Sequence, residues 1–318
     1  GGTEKNDDLS PSNKNFSSYT AGPRSYSGSG YIPASRVIKP VEKEEERNAL
    51  SHYSCIKYES MNEYDEISFP TYIFCLFSNL PVEVYNPRFY FPYILLFIIG
   101  ANGLVFLLSY YLESRALAEA LSRGISAPGV SVYISFFKML GFTPIEFGSI
   151  KSFLNLISCQ FVHGGFSHFF FNMYFLWVFG DNVCDIFYDY KDSFKREFSF
   201  LFFYLTMGVI GSLTHYLISP HSPLPLVGAS GAISGIMGAY VRLFPGASFY
   251  QIIFFRPFKI PSPFYIGFWV IGQFYIAAML GVSSHVSWQA HLGGFFAGML
   301  LVPFFIPYET SELKRQGF

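Results

Sequence analysis

After residue 88 the chain is a succession of apolar runs, several about as long as a lipid bilayer is thick. No other feature narrows the possible folds as much. A run of about 20 apolar residues cannot be laid along a water-facing surface. Inside hydrocarbon only helices and closed barrels satisfy their own backbone polar groups. Charged residues make up 14% of the chain, against about 25% in soluble domains, and the deficit falls almost wholly beyond residue 88. The reading is an all-α membrane protein with six spans, expected at 91–112, 156–179, 198–218, 227–243, 264–281 and 288–306. The first, as a helix, reaches about 33 Å. The fourth is short and rich in Gly and Ala, which suits a position inside the bundle rather than against lipid.

The part before these runs is different in kind. Residues 1–65 are rich in Ser, Gly, Asn, Tyr and charge, including Glu42, Glu44, Glu45 and Glu46, and show no apolar periodicity. They are expected to be largely disordered. Residues 69–77 are apolar but too short to span, and fit the membrane surface. The chain therefore divides into a polar extension (1–80), a six-helix core (81–308) and a short tail (309–318). No charged n-region followed by an apolar h-region opens the sequence, so no signal peptide is expected. Net charge is -1 without a basic tract, which argues against nucleic acid as a partner. Cys55, Cys75, Cys159 and Cys184 show neither CxxC nor zinc spacing, so no disulfide framework is expected.

Lys191, Lys195 and Arg196 follow the second expected span. Arg256 and Lys259 follow the fourth, with Arg242 nearby, and Lys314 and Arg315 lie in the tail. The connections after spans three and five contain no Lys or Arg. By the positive-inside rule both termini are cytoplasmic. The long first loop, 113–155, is then outside, and its Arg115-Ala-Leu-Ala-Glu-Ala-Leu stretch suits a short interfacial helix. In this topology Ser230 and His291 both lie near the outer ends of their helices.

Those two residues stand out because polar groups at bilayer depth are costly and usually functional. Ser230 sits in Gly228-Ala229-Ser230-Gly231 and His291 in Ala290-His291-Leu292-Gly293-Gly294. A serine becomes a good nucleophile when a base takes its proton, and an imidazole is the natural base. Gly228 and Gly231 would let a neighbouring helix approach the serine, and Gly294 and Gly298 form a small-residue face on the last span. A third motif, His163-Gly-Gly-Phe-Ser-His168-Phe-Phe-Phe-Asn172-Met173, puts His168 and Asn172 on one helix face. Both can donate to a developing oxyanion, as can the amide of Ser230. The alternatives are a hydrogen-bonded cluster that glues the helices, or a metal held by His163, His168 and His291. The latter lacks a carboxylate or thiol in register. No Asp or Glu occurs in residues 198–308. That removes the paired carboxylates of an aspartyl intramembrane protease and favours a Ser-His dyad over a triad. No cofactor is implied.

The three motifs, in this order, resemble those of the rhomboid intramembrane serine proteases. The resemblance runs over about 81–307 and includes Tyr85-Asn86-Pro87, Phe179-Gly180-Asp181-Asn182 and Phe255-Arg256-Pro257. It implies a six-transmembrane-helix rhomboid bundle with Ser230 as nucleophile and His291 as base. It implies an oxyanion hole from His168, Asn172 and the Ser230 amide, with His163 as a helper near a water-retaining site. It also implies a protease in the plasma (inner) membrane whose partners are single-span membrane proteins and the lipid bilayer. The rival within the resemblance is a non-catalytic rhomboid-like protein that binds and escorts membrane helices. Two positions depart from the family pattern. Leu154 and Asn155 stand where many members carry a Trp-Arg pair that anchors the first outer loop. Ser234 stands where an aromatic ring often packs on the catalytic histidine, which leaves His291 less tightly held.

Overall fold

A computed structural model describes residues 67–84, 91–124, 136–187, 193–281 and 286–306. The expected disordered extension, Tyr85-Asn86-Pro87 and the tail 309–318 lie outside these residues, apart from the end of the extension. There, Ser68 accepts a hydrogen bond from the Thr71 amide and caps helix α1 (Phe69–Ser78), which Asn79 closes in a left-handed conformation. The order then runs β1 (Val82–Glu83), α2 (Tyr93–Ser122), α3 (Ile150–Ser158), α4 (Phe166–Phe187), α5 (Ser193–Ile218), α6 (Ser230–Leu243), β2 (Ser248–Ile253), β3 (Arg256–Pro261), α7 (Ser262–Leu280) and α8 (Trp288–Leu301).

The protein is mostly helical, and among the described residues three helices are long and apolar enough to cross a membrane: α2, α5 and α7. The other three expected spans coincide with helices of a different character. α6 and α8 have 14 residues each, about 21 Å, which is short of a hydrocarbon core of about 30 Å. α4 is 22 residues long, but His168, Asn172, Asp181, Asn182 and Asp185 interrupt its apolar character.

Helix boundaries correct the sequence reading in three places. α2 does not stop near residue 112. It continues through Glu113 and Arg115 to Ser122, because the Arg-Ala-Leu-Ala-Glu-Ala-Leu stretch is made of strong helix formers and simply extends the helix. The expected span at 156–179 is broken instead of continuous. A 3-10 turn at Cys159–Phe161 ends α3, and Gly165, at φ 151°, re-aims the chain before α4 begins. The fourth run starts as loop, with Ser230 as the first helical residue.

α6 is the axis of the packing. Gly231 through Tyr240 are buried without interruption, and the helix lies against α8, α5 and α4. It meets α8 through glycine. A Cβ on Gly294 would strike the Gly231 carbonyl, and one on Gly298 the Gly235 carbonyl. Backbones at that separation leave no room for side chains, the usual device for joining helices where lipid removes the hydrophobic drive. Around this contact Leu176, Phe179, Phe203, Tyr204, Met207, Ile236 and Phe295 form the core.

The C-terminal end of α6 is closed by a three-stranded antiparallel sheet in the order β1-β2-β3, with Val82 opposite Tyr250 and Ile253 opposite Arg256. Glu83 on β1 accepts hydrogen bonds from the Tyr240 hydroxyl and, at 2.6 Å, from Asn182 Nδ2, tying α6 to α4. The β2–β3 turn is two residues, Phe254 and Phe255, with φ of 49° and 62°. This geometry favours Asn-Gly; bulky residues in it cost about 1–2 kcal/mol each.

Candidate active site

The N-terminal end of α6 gathers the motif residues. Ser230 heads the helix, so its amide is one of the donors that an α-helix leaves without an internal acceptor, at the positive end of the helix dipole. The chain reaches it through Gly228, at φ 118°, whose amide is fixed 2.9 Å from the Cys159 carbonyl. His291 lies one turn inside α8. The start of that helix is held by Ser287, which accepts from the Ala290 amide and lies 2.9 Å from His215 Nδ1 on α5. Gln289 Nε2 donates to Ser219 at 3.2 Å. The result is His291 Nε2 at 2.8 Å from Ser230 Oγ.

The other ring nitrogen of His291, Nδ1, is 2.8 Å from Gln273 Oε1 on α7. An amide oxygen can only accept, so this contact puts the ring proton on Nδ1 and leaves Nε2 to accept from the serine hydroxyl. One helical turn earlier Trp269 lies against the imidazole, with centroids 5.8 Å apart and planes at 36°. The sequence singled out neither residue. Gln273 carried a usable signal, a polar side chain in an apolar run. Trp269 carried none, since an aromatic residue there has no contrast with its neighbours. Together they correct the expectation of a loosely held His291. Ser234, in the aromatic position, turns instead to the Ser230 carbonyl at 2.6 Å.

His168 approaches the serine at Gly228. Its Nδ1 accepts from the Gly164 amide at 3.2 Å, which assigns the proton to Nε2. That Nε2 lies 2.7 Å from where a Cβ on Gly228 would be. Gly228 therefore makes room for this ring rather than for a helix, as the sequence reading had it, whereas Gly231 does face the α5 and α8 backbones. Asn172 is buried, and its Nδ2 donates to the His168 carbonyl at 2.7 Å, leaving one N–H uncommitted. His163 is 1% exposed, with its ring 5.2 Å from that of His168. Beside Ser230 is a cavity of about 10 Å³ lined by Gln160, Ser212, Gly228 and Gly231, enough for one water molecule. The first loop is held by Asn155, whose Nδ2 donates to the Gly141 carbonyl at 2.7 Å, and by Ser158, which donates to the Leu140 carbonyl at 2.6 Å.

Residues 151–308 match the family model for the rhomboid domain. Over 155 residues the chain is 26% identical to Rhomboid protein 1, mitochondrial, of Saccharomyces cerevisiae. That match covers 48% of this chain and 41% of the relative, so the chain spans less than half the length of the curated protein it matches.

Proposed function

The chain belongs to the rhomboid family, and from that premise we propose that it is a serine endopeptidase that cuts membrane-spanning segments of other proteins with Ser230 and His291. The observation that carries this reading is the hydrogen-bonded series Ser230 Oγ, His291 Nε2, His291 Nδ1, Gln273 Oε1, with both contacts involving the imidazole at 2.8 Å. A histidine engaged in this way is in the tautomer a general base requires.

In the proposed cycle the Ser230 oxygen attacks the scissile carbonyl carbon while its proton passes to His291 Nε2. The oxyanion lies between the Ser230 amide, His168 Nε2–H and the uncommitted N–H of Asn172. When the tetrahedral intermediate collapses, the C–N bond breaks and Nε2 returns the proton to the leaving amine. A water molecule, held by Gln160 and Ser212 with His163 nearby, then attacks the acyl ester. His291 serves as base again and then protonates the serine oxygen, so the carboxylic acid is released and free serine is regenerated. Gln273 accepts from Nδ1–H throughout. It is a neutral orienter rather than a charged partner, in keeping with the lack of Asp and Glu in residues 198–308.

The substrate class follows from backbone physics. A helix in lipid satisfies its own hydrogen bonds, so its carbonyls are unavailable until it unwinds. We expect single-span proteins with Gly or Pro near the cut, which lower that cost, and a small residue at the cut itself, where His168 and His291 flank the serine. Fluorophosphonate labelling of the membrane-embedded protein tests the reading. Label is expected on Ser230 and lost in Ser230→Ala at equal expression. A protein that takes no label yet binds single-span helices is the non-catalytic escort. For the cellular site, fractionation decides between the plasma membrane expected from the sequence resemblance and the mitochondrial membrane suggested by the relative's name. Protease protection of tagged termini tests the orientation.

A further inference from the structure

The turn between β2 and β3 puts two of the most exposed aromatic side chains among the described residues at its tip, Phe254 at 92% and Phe255 at 76%. Both occupy the left-handed region, which bulky residues avoid and which Asn-Gly would fill without strain. The turn itself therefore gives no reason for phenylalanine. Nor does the core, since these rings pack in no buried cluster among the described residues. A strained, solvent-directed pair of aromatics needs a reason outside the fold.

The surroundings identify it. β3 leads without a break into α7, one of the three helices apolar enough to cross a membrane, and Phe264 and Phe268 carry the exposed apolar surface onward from the strand. The hairpin thus lies at a membrane boundary, at the end of α6 away from Ser230. α1 runs beside it, with the Tyr72 hydroxyl donating to the Phe255 carbonyl at 2.8 Å and Gln251 Nε2 donating to Asn79 Oδ1 at 2.7 Å. This places the N-terminal turn of α1, with Phe69 75% exposed, beside the tip. Arg256 and Lys259 follow the two phenylalanines on β3 and are exposed. Aromatic rings with cationic side chains immediately behind them match the layered chemistry of a bilayer surface, acyl chains below anionic headgroups.

We propose that the β2–β3 hairpin, with the first turn of α1, is an interfacial anchor that inserts Phe254 and Phe255 into the bilayer on the face opposite Ser230, with Arg256 and Lys259 at anionic headgroups. It rests on the membrane reading of α7 but not on catalysis.

Spin labels on Phe254→Cys, Phe255→Cys and, as reference, Phe268→Cys test it. The full chain is reconstituted in vesicles of phosphatidylcholine with phosphatidylglycerol, and collisions with oxygen and with a water-soluble nickel chelate are compared; the unsubstituted chain gives the background. Tip labels that meet oxygen more often than nickel, and that move toward water in Arg256→Glu/Lys259→Glu, support the anchor. Nickel-accessible tip labels beside a lipid-facing Phe268→Cys overturn it and leave the proposed function standing. Tip labels shielded from both reagents also overturn it, in favour of a protein contact such as a second copy of the chain. All three labels in water overturn the membrane placement of α7 as well. A second measurement separates anchoring from folding. Phe254→Asn/Phe255→Gly relieves the turn and is expected to leave thermal stability in detergent unchanged or higher; a loss would mean that the rings serve the fold and would sink the proposal.

Discussion

The two ends of α6 both bury polar groups among apolar side chains, and they use them in opposite ways. At the C-terminal end Tyr240 and Asn182 each donate to Glu83, so these donors are closed off by an acceptor. At the N-terminal end Ser230 and His291 are paired, but His168 Nε2, one N–H of Asn172 and the Ser230 amide have no acceptor among the described residues. A closed set ties elements together. An open set of donors beside a hydrogen-bonded serine and histidine suits a group that acquires negative charge during reaction. The contrast teaches that burial of polar groups in this bundle does not by itself single out a site; unfilled donor capacity is what sets the candidate site apart.

Substitutions at the open end should remove activity and spare the fold. Ser230→Ala and His291→Ala are expected to slow cleavage of a model single-span substrate by about 10,000-fold or more, with little change in thermal stability. Residual hydrolysis by Ser230→Ala that serine reagents still block would move the nucleophile elsewhere. Asn172→Ala and His168→Ala should each lower kcat by about 100- to 1,000-fold. If they unfold the protein instead, the open end is glue and the contrast collapses.

Gln273→Leu sharpens the picture. It removes one neutral hydrogen bond to the base, so a loss of about tenfold in kcat is expected, with KM nearly unchanged and Ser230 still labelled by fluorophosphonate. Equal loss of labelling and of thermal stability would make Gln273 a packing residue. At the closed end Tyr240→Phe should cost about 1–3 kcal/mol in unfolding experiments, while activity per folded molecule stays near that of the parent. A kcat effect as large as that of Asn172→Ala would show that the closed end also takes part in the reaction.

The polar residues of the candidate site were more legible in the sequence than the architecture was. Ser230, His291, His168 and Asn172 announce themselves because each is polar in an apolar stretch, and such residues carry a cost that needs a reason. Trp269 was silent for the converse reason. Helix ends in this chain are set by local backbone chemistry, which apolarity does not register: Gly164-Gly165 breaks one expected span, and good helix formers prolong α2 past its charges. The hairpin was hidden because its turn is Phe-Phe, without the Asn or Gly by which such turns are recognised. The number of helices that cross the membrane was also read from apolarity alone, and the short, glycine-rich α6 and α8 show where that measure loses its grip.

The contact between α6 and α8 also says something about how freely this chain can vary. Where Gly294 meets the Gly231 carbonyl and Gly298 that of Gly235, even alanine, the smallest possible replacement, brings an atom that does not fit. These positions admit a one-letter alphabet. An exposed position such as Phe268 on α7, 70% exposed, accepts almost any apolar letter. A lineage of such chains would drift in its coat while its spine stayed legible, and the spine here sets the spacing between Ser230 and His291.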